Sequence, residues 1–372
     1  MLRQSTQKHV SPVSERAWHN HLHSVFRQES VSHSADTTNQ REPSSHSAMR
    51  TRQWTGTVNP MDHLIPLGRR HNATRSNASQ PFHLPSESEL STLISMHISS
   101  MNTASSPGFD TITPAFIKCA CTRLPRHQGR GMENVNVLTP HIMSFFQLLM
   151  KNARIPESWK EAKLTPIHKK GPLTSPQNYR MIAVSATMYR LYANVLRSII
   201  QDWCGHHNKI PDTQFGFFPR RSTLQPLFIL RHLKDAAQKI QARSSRLYTA
   251  FIDFKQAYDS IPRDKLWDHL YRCRMPPHLV SILQNLYHAD EYTLLDGDKR
   301  AFVRPLFGVK QGCPLSPLLF SIYLNDIDSV AEGIQGAVTA IPNFTVTHML
   351  FADDLALLSN RPSDLQRLLN KL

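Results

Sequence analysis

Apolar side chains recur at a regular spacing only from about Leu84 onward. Leu90, Leu93, Ile94 and Ile98 fall on one helical face, and Ser86 with Glu89 supplies a capping box at its start. Thr113-Pro114 opens a second helix as N-cap and first helical residue, and Thr139-Pro140 starts a third. Between them residues 123–137 are polar and irregular, with Arg123, Arg126 and Arg130, and read as a loop insertion. The period then changes. Residues 162–168 read as a strand, restricted to an edge position by Pro166, and residues 178–184 as its partner across a basic turn. Residues 186–203 return to helical spacing, with Leu191, Val195, Leu196, Ile199 and Ile200 on one face. A loop at 214–223 leads into a helix capped by Ser222 or Thr223. Residues 246–254 are a strand of apolar and aromatic residues, residues 264–273 a helix, and a second helix follows Pro276-Pro277. A hairpin turns at Asp296-Gly297, and Ser316-Pro317 starts a helix with Ser316 as N-cap. The run from Met349 to Leu358 reads as two short buried strands with Asp353-Asp354 at the turn.

Composition changes the picture mainly at the front of the chain and in its charge. Residues 1–83 are rich in Ser, His, Arg and Asn and poor in periodic apolar positions, which predicts a disordered tail. Its basic, Ser-containing opening resembles an organelle transit peptide, but Glu15 and Glu29 weigh against that reading. The whole chain of 372 residues carries 43 Lys+Arg against 28 Asp+Glu, a net charge of +15. Such an excess predicts a polyanionic partner, nucleic acid ahead of an anionic membrane surface. No apolar run approaches the ~20 residues that span a bilayer. The five cysteines are scattered and form no C-x-x-C, which predicts reduced thiols in an intracellular protein without a zinc site. Cys204, His206 and His207 read as loop residues rather than as a metal cluster.

The candidate chemistry centres on Asp353-Asp354. Two carboxylates at the tip of an apolar hairpin repel each other and are poorly solvated, and a divalent cation relieves both costs. An ordinary turn using Asp for local hydrogen bonds has the same sequence. What separates the two is Asp253, which ends the strand at 246–254 and can lie beside the hairpin in one sheet. Carboxylates converging there can hold two Mg²⁺ ions about 4 Å apart. Lys169, Lys170 and Arg180 are a candidate phosphate clamp on a two-stranded ribbon, or else a solvated basic hairpin. Phe217, Arg220 and Arg221 suit base stacking and phosphate contact, although core aromatics beside surface arginines would look the same. The glycines of Gly308-Val309-Lys310-Gln311-Gly312-Cys313-Pro314 allow close backbone approach to a ligand.

Taken in order, these segments resemble reverse transcriptases of the non-LTR (LINE-type) retrotransposons. Ser106-Pro107-Gly108-Phe109-Asp110 resembles an N-terminal fingers motif; residues 159–170 with Asn178-Tyr179-Arg180, and then Gln214-Phe215-Gly216-Phe217, resemble the fingers motifs that follow. Phe251-Ile252-Asp253 with Ala257-Tyr258-Asp259, the stretch from Gly308 to Pro317, and Phe351-Ala352-Asp353-Asp354 are similar to three palm motifs. The resemblance implies an α+β, right-hand polymerase fold: a fingers region at 84–245 and an incomplete palm at 246–372, an antiparallel sheet with packed helices. The later palm motifs, the primer grip and the thumb find no counterpart before Leu372, so the expectation is a chain truncated after the third palm motif, with the thumb absent.

The implied function is RNA-directed DNA polymerase chemistry, two-metal nucleotidyl transfer to a primer 3′-hydroxyl, with a catalytically inactive remnant that only binds nucleic acid as the alternative. The implied cofactor is Mg²⁺, two ions, with Mn²⁺ as a substitute. The implied partners are an RNA template, a DNA primer and deoxynucleoside triphosphates, with no membrane, in the nucleus or cytoplasm. Asp253 and Asp353 would bind the metals with Asp354 in support, and the carbonyl of Phe254 would add a ligand. Lys169, Lys170 and Arg180 would neutralise the triphosphate, and Gln311 and Gly312 would lie along the nucleotide and template base. Tyr258 matches a steric gate against the ribose 2′-hydroxyl, and Asp259 a structural residue at a helix start. Met181 stands where the family usually has proline.

Overall fold

The computed structural model describes residues 13–26, 83–125, 132–239, 246–296, 299–334, 336–338 and 345–372. The helices are α1 (Glu15–Phe26), α2 (Glu87–Ser100), α3 (Pro114–Cys119), α4 (Thr139–Asn152), α5 (Thr187–His206), α6 (Leu224–Lys239), α7 (Arg263–Arg272), α8 (Pro277–Tyr287), α9 (Ser316–Tyr323), α10 (Ile327–Val330) and α11 (Pro362–Lys371). The strands are β1 (Cys121–Pro125), β2 (Met132–Asn136), β3 (Glu161–His168), β4 (Tyr179–Ser185), β5 (Tyr248–Asp253), β6 (Glu291–Asp296), β7 (Lys299–Val303), β8 (Ala337–Val338), β9 (Thr345–Val346), β10 (His348–Phe351) and β11 (Asp354–Ser359). The fold is α+β. Among the described residues no helix is long and apolar enough to cross a membrane.

Two sheets matter for function. One has the order β4-β3-β6-β7 and the other the order β10-β11-β5. The main core lies against the second sheet, where Phe146, Tyr192, Leu270, Leu283 and Phe320 of the surrounding helices cluster with its Leu350, Leu355 and Leu357; the first sheet has its own core with α1. Trp159 sits edge-on to Phe146 at 6.4 Å and tilted against Tyr192 at 5.6 Å, joining the approach to β3 to α4 and α5. The capping box at α2 is formed: Ser86 Oγ accepts from Glu89 N, and Glu89 Oε2 accepts from Ser86 N at 2.8 Å.

Four expectations are corrected. First, part of the stretch expected to be disordered forms α1. Trp18, Leu22 and Phe26 recur every fourth residue and are buried against β3, β4, β6 and β7. Trp18 meets Tyr179 edge-on at 5.2 Å and Phe26 meets Tyr292 at 5.3 Å. Burying each such side chain is worth about 1.5–3 kcal/mol, enough to order a helix that the average composition of the tail conceals. Residues 1–12 and 27–82 of the expected tail lie outside the described residues. Second, the supposed loop insertion holds the β1–β2 hairpin, paired from Cys121↔Asn136 to Pro125↔Met132; Arg126 and Arg130 lie outside the described residues. Third, β3 is not an edge strand: it lies inside the β4-β3-β6-β7 sheet, which is mixed because β6 runs parallel to it, whereas the β10-β11-β5 sheet is antiparallel throughout, as expected. Pro166 is tolerated because the β6 ladder stops at Leu164, leaving the far half of β3 paired with β4 alone. Fourth, Ser316 does not cap α9. It is the first helical residue, and its hydroxyl donates to the Lys310 carbonyl at 2.7 Å.

Candidate active site

β5 and β11 run antiparallel and their ladder ends on a pair of carboxylates, Asp253 opposite Asp354. Directly opposed residues of such a ladder lie about 4.5–5.5 Å apart at Cα. β10 and β11 are joined by the two-residue turn Ala352-Asp353, since Phe351 pairs with Asp354. Ala352 takes φ +60°, a left-handed conformation that a non-glycine residue keeps only when its surroundings hold it. The sequence therefore delivers Asp253, Asp353 and Asp354 to one corner of the second sheet. Burial raises the Asp353 carboxyl above its ordinary value; the charges of Asp354 and Asp253 push the same way, and Arg180 draws it back. That balance reports both the crowding of negative charge and the nearness of the ribbon arginine.

The donor set is all oxygen, which suits a hard divalent cation such as Mg²⁺ or Mn²⁺ and not zinc. The carbonyl of Phe254, directly after Asp253, could join it; the Phe254 side chain is buried beneath. As placed, however, the side chains do not close into a shell. Among the described residues no three His, Cys, Asp or Glu groups stand close enough together to hold a metal ion. The corner fits a cation by chemistry and charge, with the carboxylates in an open arrangement.

The β3–β4 ribbon forms the rim. Lys169 N donates to Asn178 O at 2.8 Å and closes the ribbon, leaving the Lys169, Lys170 and Arg180 side chains exposed. Arg180 acts on Asp353, and Lys169 acts on Asp259 in the turn after β5, so two of the three cations lie within electrostatic reach of acidic groups beside the second sheet. Burial raises Asp259 to about 6 against the pull of Lys169. Asp259 lies in the turn after β5 and not at a helix start, because α7 begins only at Arg263. Tyr258 is half-buried, stacked on Phe320 at 4.9 Å, and its hydroxyl is raised by burial and by the charge of Asp353.

The loop from Gly308 to Leu315 seals the corner against β4. Ala183 N donates to Gln311 O at 2.7 Å. Gly312 has φ +109°, and a Cβ there would come within 2.7 Å of Ala183 O. The loop hangs on a lysine that sequence reasoning passed over. Lys310 is fully buried, donates to Asp290 Oδ1 at 3.1 Å and lies over the Tyr189 ring at 4.5 Å. Arg263 Nη2 reaches Asp290 Oδ2 at 3.5 Å. A lysine between Val309 and Gln311 in so basic a chain carries no sequence signal of burial.

Of the residues expected to meet nucleic acid, Phe217 and Arg220 are exposed, at φ +62° and +64°. Arg221 is not free to do so: it donates to the carbonyls of Pro211 and Gln214, pairs with Asp212 at 3.1 Å and lies over Phe218. It braces its own loop.

The sequence profile of the family "Reverse transcriptase (RNA-dependent DNA polymerase)" matches residues 167–372. The Pol polyprotein of type-1 retrotransposable element R2 from Nasonia vitripennis is 26% identical over 239 residues, 64% of this chain and 22% of that protein. The Pol polyprotein of type-2 element R2DM from Drosophila melanogaster is 28% identical over 284 residues, 74% of this chain and 24% of that protein. The RNA-directed DNA polymerase of the mobile element jockey, also from Drosophila melanogaster, is 23% identical, with 68% of this chain and 28% of that protein covered. These relatives are of the non-LTR retrotransposon kind, and the chain spans between 22% and 28% of their length.

Proposed function

Because the chain belongs to the reverse transcriptase (RNA-dependent DNA polymerase) family, we propose that it carries RNA-directed DNA polymerase chemistry at the Asp253–Asp353–Asp354 corner. The observation that carries this reading is the end of the β5–β11 ladder. It opposes Asp253 to Asp354 beside an Asp353 whose carboxyl both of them raise, within the field of Arg180. Asp253 and Asp353, with the Phe254 carbonyl and Asp354 beside them, would hold the divalent ions. When bound, such ions activate the primer 3′-hydroxyl and stabilise the leaving oxygen.

The chain's own residues do the rest. Arg180, which acts on Asp353 from the ribbon, would spread the triphosphate charge together with Lys169 and Lys170 of the ribbon turn. The Tyr258 ring, fixed against Phe320, would stand where a ribose 2′-hydroxyl projects and so favour deoxynucleotides. Gln311 and Gly312, fixed on β4, would line the nucleotide and template base. Phe217 and Arg220 would meet the RNA template or DNA primer. The family resemblance supports the division into a fingers region at 84–245 and a palm region at 246–372, a right-hand arrangement.

Primer extension on an RNA template with Mg²⁺ and deoxynucleotides is the test. Incorporation that vanishes without the divalent ion and in Asp253→Ala supports the proposal; incorporation indifferent to both sinks it. A second reading, nucleic-acid binding without chemistry, is favoured by the open arrangement of the carboxylates. Salt-sensitive RNA binding with no incorporation in either Mg²⁺ or Mn²⁺ would establish that reading instead.

A further inference from the structure

The hairpin that carries Asp353 and Asp354 is held from outside its own sheet. Gln214 is fully buried and lies far from Ala352 in sequence, yet its side-chain amide reads the backbone of the turn. Oε1 accepts from Ala352 N at 3.0 Å and from Gly216 N at 2.9 Å, and Nε2 donates to Ala352 O at 3.4 Å. The main chain makes the same junction: Phe215 N donates to Leu350 O at 2.7 Å and Leu350 N to Thr213 O at 2.8 Å. A Cβ on Gly216 would collide with the Ala352 nitrogen, so the loop approaches as closely as glycine permits. Arg221, engaged on the Gln214 and Pro211 carbonyls, locks the loop from its other side.

Ala352 needs this. Its φ of +60° is unfavourable for a side-chain-bearing residue, and its N–H has no partner in the β10–β11 ladder, which begins at Phe351↔Asp354. One buried acceptor satisfies that N–H and fixes the turn geometry that aims Asp353. We infer that Gln214 is a positioning residue: it holds the Ala352-Asp353 turn in its left-handed conformation, so that the Asp353 carboxylate is preorganised toward Asp253 before any ion or nucleotide arrives. This rests on the proposed polymerase reading for its catalytic consequence, but not for its structural one.

The test uses the full chain with Gln214→Met, which keeps side-chain length and loses the acceptor and donor, and Gln214→Glu, which keeps an acceptor for both N–H groups. Amide hydrogen exchange without added metal is read first. Exchange across 348–355 should rise by about tenfold or more in the Met variant, staying near wild type in α2 and α5, and the Glu variant should recover most of the protection. Where incorporation is measurable, kcat should fall about 10- to 100-fold in the Met variant, with KM for deoxynucleotide moving less than about threefold. Met behaving like wild type in exchange at 348–355 overturns the inference, as does a rise spread evenly over the whole chain. A wild-type chain with no incorporation but the expected exchange pattern removes the polymerase reading and leaves the positioning role standing.

Discussion

Asp290, which holds the Gly308–Leu315 loop through Lys310, and Asp353, in the β10–β11 turn, are treated in opposite ways. Asp290 is fully buried and answered by two cations, Lys310 at 3.1 Å and Arg263 at 3.5 Å. Asp353 is half-buried, has two further carboxylates as neighbours, and is answered by a backbone hydrogen bond and by one cation, the exposed Arg180. A buried charge with matched partners is structural, because removing either side strands the other. A charge left crowded and under-compensated at a surface corner is destabilising until something cationic binds, and such sites cluster where chemistry is done. Burial alone would have ranked these two aspartates the wrong way round.

Substitutions can break that contrast. The largest effect on chemistry is expected at Asp353→Ala: incorporation should fall at least about 10³-fold, with no loss in melting temperature, since a repelling charge is removed. Loss of stability together with activity would make Asp353 a second Asp290. Asp290→Ala should do the reverse and destabilise the fold by about 3–5 kcal/mol in chemical denaturation, because Lys310 then lies buried without its carboxylate.

Asp259 lies between the two cases. Its folded carboxyl sits at about 6, above the ordinary 3.8, so the native state binds more protons than the unfolded chain between those values. Its contribution is therefore favourable in acid and is lost as pH rises through 6. Asp259→Asn should raise stability at pH 7.5, by up to about 3 kcal/mol, and change it little at pH 4; equal effects at both would reject the shift. The smallest effect is expected on the rim. Lys170→Ala should alter KM for deoxynucleotide by less than about threefold, and Arg180→Ala by more, as checked by steady-state incorporation.

What the sequence made legible was local. The Ser86–Glu89 capping box and the ribbon at 162–184 are written in adjacent residues and formed where the pattern placed them; the Asp353-Asp354 hairpin formed too, but its turn is Ala352-Asp353, one residue earlier than expected, with Asp354 already in β11. The strand pattern at 246–254 likewise led to Asp253, which the register sets against Asp354. What stayed hidden depends on partners distant in the chain. Gln214 looks like one polar residue in a loop until Ala352 arrives beside it. Arg221 looks like a free cation until the carbonyls of its own loop enclose it. The Trp18–Leu22–Phe26 stripe is diluted by the histidines and serines around it, and only the sheet that receives it gives it meaning.

The seating of α1 has a kinetic consequence. Its apolar stripe closes on a sheet whose last strand, β7, ends at Val303, and Leu306 N hydrogen-bonds the Phe26 carbonyl. At ordinary synthesis rates of ~5–20 residues per second, α1 leaves the ribosome roughly a quarter of a minute to a minute before its docking surface exists. Trp18, Leu22 and Phe26 are therefore exposed throughout that interval, a ready substrate for a chaperone that holds apolar helices. Closing so long a loop also makes this contact a late and slow step of folding.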